Sequence, residues 1–555
     1  MKDKIQALYP GQAEGVTAKL QIILDEFRQR HPELAMPPRN RFDQRDVILS
    51  CYADHVREDG VHPLNTLKKF LLRFAQGILN RVHLLPFYPS TSDDGFSVVD
   101  FRRVNESFGD WSDISALGQE FDLMFDCVAN HVSASSDWFR GYQTGNPKYQ
   151  NFFVAFDQPM DVSSVFRPRT HPLLTRFETH QGPRNIWTTF SADQIDLNYP
   201  HPDVLMEMVK VLLFYVEQGA RAIRLDAIAY AWKKLGTSCF NLSEVHILVQ
   251  LIHEILAYVA PRVWIITETV LPHDQNISYF GNGHNAAHGV YHFQLETLLL
   301  HTILRQDAML LGEWINGLPD FSDQNAMLNL SVSHDGIHPL VAKDVLSEEQ
   351  MLMIAQNSES KGGQVLYRTT ADGGREPYEF NITYPSAVGG VDAYLASQAV
   401  MLAIRGVPFI YLNNLIGAEN WTQGVRELGY SRAINRQKFD FSTLVSELQD
   451  SASPKGRTYS GYARLLRARQ KEPLFSPVAK QDSLALDPSI MAIRRQQNDS
   501  RLLALTNVSA APVRLQASKI SAALGKAKAE DLLHEGILDL QDDLTLEPYQ
   551  SRWLK

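Results

Sequence analysis

Cysteine is almost absent: 555 residues contain three, Cys51, Cys127 and Cys239. The odd count and the lack of metal-ligand spacing exclude a disulfide scaffold and a thiolate metal site. Cys51 and Cys127 lie in apolar strand-like runs and read as buried, reduced thiols. No run approaches the roughly 18 apolar residues that would cross a bilayer. The oiliest stretch, Ala393 to Ile404, is interrupted by Ser397 and Gln398. The start, MKDKIQALYPGQAEG, has neither an apolar core nor a small-residue cleavage site, so a cytoplasmic protein is expected. Positive charge is short as well, 53 Lys and Arg against 63 Asp and Glu for a formal net charge of -10, and it is scattered, which argues against a nucleic-acid platform. Missing too are low-complexity tracts, an EF-hand-like loop and a Gly-rich phosphate fingerprint after a strand, which speaks against calcium and nucleotide-sugar chemistry.

What is present is an ordinary globular composition, 44% hydrophobic and 21% charged. Eight strand-like runs recur: Val47–Asp54, Arg81–Phe87, Phe121–Asp126, Ala222–Asp226, Val263–Glu268, His288–Phe293, Met327–Val332 and Val407–Leu412. Most are continuously apolar, as parallel strands buried on both faces are. Amphipathic stretches such as Pro202 to Glu217 and Leu242 to Val259 separate them. The pattern predicts an α/β protein, a (β/α)8 TIM barrel, although periodicity alone leaves a doubly wound sheet open. The barrel would comprise residues 1–131 and 201–476, including an N-terminal extension, 1–46. The aromatic- and proline-rich stretch 132–200 reads as a domain inserted after the third strand. A second excursion, 339–392, carries Gly362, Gly363, Gly373 and Gly374 and reads as a long functional or mobile loop. Residues 477–555 switch to short apolar runs and read as a C-terminal antiparallel β domain.

Active groups of such a barrel lie at the C-terminal ends of its strands. There the sequence has Asp93-Asp94-Gly95-Phe96, Asp126-Cys-Val-Ala-Asn130-His131, Arg224-Leu-Asp226-Ala227, Thr267-Glu268-Thr269 and Ser333-His334-Asp335-Gly336. A single Asp at a strand end is often only the cap of the next helix; this succession is harder to dismiss. The order D-x-x-x-N-H, R-x-D-A, a strand-end Glu and H-D resembles the α-amylase clan of glycoside hydrolases and transglycosylases. Gln194-Ile-Asp-Leu-Asn198 resembles that clan's Q-x-D-L-N motif. His83-Leu-Leu-Pro-Phe-Tyr-Pro89, the Asp93 segment, Lys234-Leu-Gly-Thr-Ser-Cys-Phe240 and Ala433-Ile-Asn-Arg436 resemble the sucrose phosphorylase subfamily. The N-terminal extension is longer than in typical sucrose phosphorylases, and Tyr378-Glu-Phe-Asn-Ile-Thr-Tyr384 with the Gly-rich stretch before it looks more like the glucosylglycerate phosphorylase branch.

The resemblance implies retaining glucosyl transfer between two carboxyl groups about 5–5.5 Å apart. Asp226 would be the nucleophile, Glu268 the acid/base and Asp335 the transition-state stabiliser. Arg224, two residues before Asp226 on the same strand face, would orient and hold that carboxylate. His131, His334, Asp93, Phe96 and Arg436 would hold the donor glucose, and Tyr230 and Arg169 would face phosphate. The subfamily's phosphate-facing His is Val270 here. Many clan members bind calcium near the third-strand motif, whereas this subfamily generally does not; no metal and no cofactor are expected, with inorganic phosphate as co-substrate. The implied reaction joins an α-glucoside and phosphate to glucose 1-phosphate and a small acceptor, glycerate in the branch resembled. A buried carboxylate needs cationic donors, for which Lys233, Lys361, Arg368 and Arg375 are candidates. Phosphorylases of sucrose, sucrose 6-phosphate or glucosylglycerol are alternatives, as is a retaining α-glucosidase or transglucosidase. A non-catalytic sugar-binding barrel is the alternative from another class, against which the intact carboxylates speak. No signal addresses oligomeric state.

Overall fold

The computed structural model describes residues 1–37, 41–158, 160–169, 171–369 and 375–555. Eight parallel strands close into a barrel: β1 (Ile48–Cys51), β2 (Arg81–Leu84), β3 (Asp122–Val128), β4 (Ala220–Asp226), β5 (Trp264–Thr267), β6 (Gly289–Tyr291), β7 (Ala326–Asn329) and β8 (Val407–Tyr411). Each pairs with its neighbours in sequence, and β1 pairs with both β2 and β8. That closure excludes the doubly wound sheet. Helices cover the outside; Pro202–Glu217 begins with a proline, whose missing N–H costs nothing in a first turn, and Ser243–Val259 buries Leu248, Ile252 and Ile255.

The N-terminal extension forms two helices, Lys2–Leu8 and Ala13–Arg30, with Ile5, Leu20, Leu24 and Phe27 buried. They pack on Ser243–Val259, where the Lys4 ammonium reaches Glu254 Oε1 at 2.5 Å. After β3 the chain leaves the barrel through His131–Ser133, paired antiparallel with Gln194–Asp196. Between these lies a three-stranded antiparallel sheet of Ala155–Phe156, Gly182–Trp187 and Leu174–Thr179.

The excursion 339–392 is not a long loop. It holds the helix Glu348–Ser360, opened by a capping box of Ser347 and Gln350, and a hairpin of Gln364–Thr369 with Arg375–Asn381. Gly373 and Gly374 lie outside the described residues. The oily stretch is the helix Val391–Ala403, wedged against Pro454–Lys471 and the C-terminal sheet. That sheet is antiparallel, in the order Lys480–Ser483, Ile490–Gln497, Ser500–Asn507, Ser551–Leu554. Buried Arg495 fastens it to the barrel, donating to the Ala403 carbonyl at 3.0 Å and the Ser476 carbonyl at 2.7 Å. All three cysteines are free and buried.

Candidate active site

Strand register assembles the first cluster. Arg224 of β4 sits opposite Asp126 of β3, and alternation along β4 puts Asp226 on the same face. Arg224 Nη1 donates to Asp126 Oδ1 at 2.5 Å and to Asp226 Oδ1 at 2.6 Å. One residue past Asp226, Ala227 takes a left-handed backbone (φ 50), a strained choice for a residue with a Cβ. The turn aims its N–H at Glu268 Oε2, 3.2 Å away, just beyond the end of β5. Arg224 Nη2 lies 3.9 Å from the same oxygen. Three carboxyls therefore surround one guanidinium. Burial, with Glu268 and Asp126 nearby, pushes Asp226 well above the usual carboxylate range against the pull of Arg224.

Asp335 follows β7 and meets two arginines. Arg432 Nη1 donates to its Oδ1, Arg436 Nη2 reaches the same oxygen at 3.1 Å, and His334 Nε2 lies 3.6 Å from Oδ2. Burial opposes its charge, but Arg432 and Arg436 outweigh it and hold the carboxyl well below its ordinary range. Arg436, its side chain 1% exposed, also donates to the His334 carbonyl at 3.0 Å and to Asp94 Oδ2. Asp93 and Asp94 both adopt left-handed backbone, φ 54 and 48. The His334 ring stacks on Phe96 at 5.1 Å with 4° between planes. Burial lowers His334 to about 3, and lowers His131 too, so both rings are neutral; His334 can offer hydroxyls one donor and one acceptor nitrogen, whereas Nδ1 of His131 is already met by Asn130 Nδ2 at 3.2 Å. His131 Nε2 donates to the Phe96 carbonyl at 3.0 Å.

On the far side of Glu268, Tyr230 packs against Phe240 and Phe190, ring centroids 4.7 and 5.0 Å away. Glu268, Tyr378 and Arg169 all lie close enough to perturb its hydroxyl, after burial, which raises it most. Arg169 Nη1 donates to the Tyr378 hydroxyl at 2.6 Å and is 3.8 Å from Glu379 Oε2. Glu379, buried at the hairpin base, takes both Nε and Nη2 of Arg432, at 2.9 and 3.0 Å, which holds it down to about 2 although burial opposes.

Several expectations need correction. Lys233 does not face an acceptor. Its buried ammonium donates to Asn130 Oδ1 at 2.5 Å and to the Tyr230 carbonyl, and pairs with Asp196 Oδ2 at 2.7 Å, tying the insertion to the barrel. Arg436, expected to hold the donor glucose, spends its guanidinium on Asp94, Asp335 and the His334 carbonyl. Asp94 makes the close contact with Arg436, while Asp93 lies 3.8 Å away and accepts from Gln194 Nε2 at 3.2 Å. Arg368 donates to Glu376 Oε1 at 2.6 Å and is 45% exposed; Arg375 lies over Tyr367, 4.8 Å from the ring centre, and Lys361 is exposed. The base of the hairpin enters the site, through Tyr378 and Glu379. Asp94, Arg432 and Glu379 are the site residues that sequence reasoning missed. Nothing local marks either Arg432, on the short turn Ser431–Asn435, or Glu379.

The geometry accords with the likenesses of the chain. Residues 76–324 match the family model described as alpha amylase, catalytic domain. A glucosylglycerate phosphorylase of Spirochaeta thermophila is 42% identical, over 92% of this chain and 89% of that protein. Another, of Allomeiothermus silvanus, is 39% identical over 99% of this chain and 96% of its own length. Among solved structures, sucrose 6F-phosphate phosphorylase from Thermoanaerobacter thermosaccharolyticum superposes with a TM-score of 0.75 at 23% identity, covering 84% of this chain and 94% of that one, a likeness of fold.

Proposed function

The chain belongs to the glucosylglycerate phosphorylase family, built on an α-amylase-type barrel, and we propose that it interconverts 2-O-α-glucosylglycerate and phosphate with α-glucose 1-phosphate and D-glycerate. The observation that carries this reading inside the site is the Arg224-centred cluster of Asp226 and Glu268, faced by Asp335. Retention by double displacement needs one carboxylate and one carboxylic acid at the outset. Arg224 donates directly to Asp226 and lies 3.9 Å from Glu268, so it orients Asp226 as the nucleophile and leaves the acid/base role to Glu268.

In the first half-reaction Asp226 attacks the anomeric carbon, the bond to the glycerate oxygen breaks, and Glu268 protonates that oxygen. In the second, Glu268 takes a proton from hydrogenphosphate, whose oxygen attacks the same carbon and expels Asp226. Asp335, held anionic by Arg432 and Arg436, faces the positive charge that develops on the sugar. His131, His334 and the Asp93–Asp94 turn surround the glucose hydroxyls. Arg169, bonded to a neutral hydroxyl and partly exposed beside Tyr230, is the cation available to phosphate and to the glycerate carboxylate. Phosphate is the co-substrate, with no cofactor or metal, and the buried free thiols suit the reducing cytoplasm.

The deciding experiment incubates the protein with glucose 1-phosphate and, separately, D-glycerate, glycerol, fructose and fructose 6-phosphate, and measures phosphate release. D-glycerate should be fastest, with little free glucose. Faster release with glycerol would move the protein to the glucosylglycerol phosphorylases, and dominant glucose would make it a hydrolase.

A further inference from the structure

His83 belongs to a motif that the reaction above leaves without a role. It lies in β2 with its ring fully buried inside the barrel, and its Nε2 is 2.8 Å from Asp126 Oδ2. Its Nδ1 is 3.0 Å from Ser50 Oγ of β1. Arg224 and His83 hold Asp126 down to about 2 although burial opposes, so Asp126 is an anion and can only accept. Nε2 is therefore the donor. Burial lowers the proton affinity of the imidazole, which leaves it neutral, and Nδ1 accepts from the Ser50 hydroxyl. The other oxygen of Asp126 takes Arg224 Nη1, which Asp226 shares. Four successive strands thus carry one hydrogen-bonded row: Ser50, His83, Asp126, Arg224, Asp226.

We infer that His83 is a positioning residue for the nucleophile: its N–H satisfies Asp126, so that the Arg224 guanidinium is divided between Asp126 and Asp226 rather than surrendered to Asp126. This rests on Asp226 as the nucleophile. Among the described residues, Arg224 and His83 are the two donors to the Asp126 carboxylate. A buried anion that loses one of two donors draws harder on the other. Arg224, 2.5 Å from Asp126 Oδ1, keeps that carboxylate's charge compensated in the absence of His83 and is drawn towards β3. Asp226 would then lose its orienting N–H and bind a proton more readily. The titratable groups packed around the row are Tyr88 and Cys127 beside Asp126, Tyr291 and His334 beside Arg224, and Glu268 beside Asp226. None of them replaces the missing donation.

The test is the pH profile of kcat/KM for the full-length enzyme with glucose 1-phosphate and D-glycerate. His83→Leu should lower kcat/KM by about 100-fold, chiefly through kcat, and move the acidic limb upward by about one pH unit. His83→Gln, whose amide can reach the same oxygen, should recover most of the activity and return the limb. An unmoved limb in His83→Leu, or a Gln variant no better than Leu, would overturn the proposal. Should the Leu variant not fold, Ser50→Ala serves: loss of the hydroxyl that fixes the tautomer should move the limb the same way by less, and no movement overturns it. Activity surviving in Asp226→Asn would instead overturn the nucleophile assignment, so the two failures are separable.

Discussion

Around the donor pocket every charge is answered at short range. Asp335 meets Arg432 and Arg436, Arg436 meets Asp94, and Asp226 meets Arg224, with the arginines at 224 and 436 only 3% and 1% exposed. Along the hairpin the same residue types behave differently. Glu379 at the base is 1% exposed and gripped by Arg432; towards the tip Glu376 shares the half-exposed Arg368, and Arg375 faces water. Buried, mutually satisfied charges hold atoms in place and act through a low dielectric; exposed pairs are screened and contribute little. The contrast follows the chemistry. The glucosyl unit is the same in both half-reactions and can be met by a rigid, prepaid pocket, whereas the other side must admit phosphate and glycerate in turn.

If rigidity on the donor side is what matters, the largest loss should come there. Asp226→Asn should cost about four orders of magnitude or more in kcat with the circular dichroism spectrum unchanged. Near-normal turnover, or a glucosyl adduct trapped elsewhere, would break the assignment. Glu268→Gln should follow, losing about 100- to 10,000-fold on glucosylglycerate and much less on a glucosyl donor with an activated leaving group. Equal losses on both donors would move the acid/base role to another residue.

A third change tests burial apart from catalysis. The Lys233 ammonium is enclosed by Asn130, Asp196 and the Tyr230 carbonyl, and removing one partner of a buried pair leaves an uncompensated charge. Lys233→Met should destabilise the protein by about 3–5 kcal/mol, read as a lower thermal midpoint and earlier proteolysis within 132–200. A midpoint within error of the unmodified enzyme would show that the insertion is held by its aromatic packing alone.

Legibility divides along the same line. Asp226, Glu268 and Asp335 could be read from the sequence because barrel strands are continuous apolar runs and a polar residue ending one stands out. The stacking of Phe96 on His334 and the register that sets Arg224 against Asp126 are tertiary outcomes of those same strands. Arg432 was hidden because it lies on a short turn, Ser431–Asn435, with no period to mark it. Glu379 was hidden because its strand carries Pro377 between charges and shows no alternation, so its inward direction appears only once the hairpin has folded. Lys233 misled for a different reason: a lysine seven residues past a nucleophile looks like a substrate contact until Asn130 and Asp196, from the third-strand motif and the end of the insertion, are brought to it.

The smallest expected effect discriminates the two regions most finely. Arg169, in the insertion, and Arg375, at the start of a hairpin strand, are both cations, and charge alone makes them equal candidates for the glycerate carboxylate. Position separates them. Arg169 is tied to Tyr378 at the hairpin base, beside Glu379 and within reach of the Tyr230 hydroxyl; Arg375 begins the same strand three residues before Tyr378, roughly 10 Å away along an extended chain. Across such a distance, through water and salt, a single exposed charge is largely screened. Arg169→Gln should therefore raise KM for glycerate and for phosphate by about tenfold, leaving glycerol used as a neutral acceptor nearly untouched, since only anions lose a partner. Arg375→Gln should change the ratio of glycerate to glycerol turnover by less than about twofold. If instead Arg375→Gln closes that gap and Arg169→Gln does not, the glycerate carboxylate is met by Arg375 and the assignment of Arg169 falls.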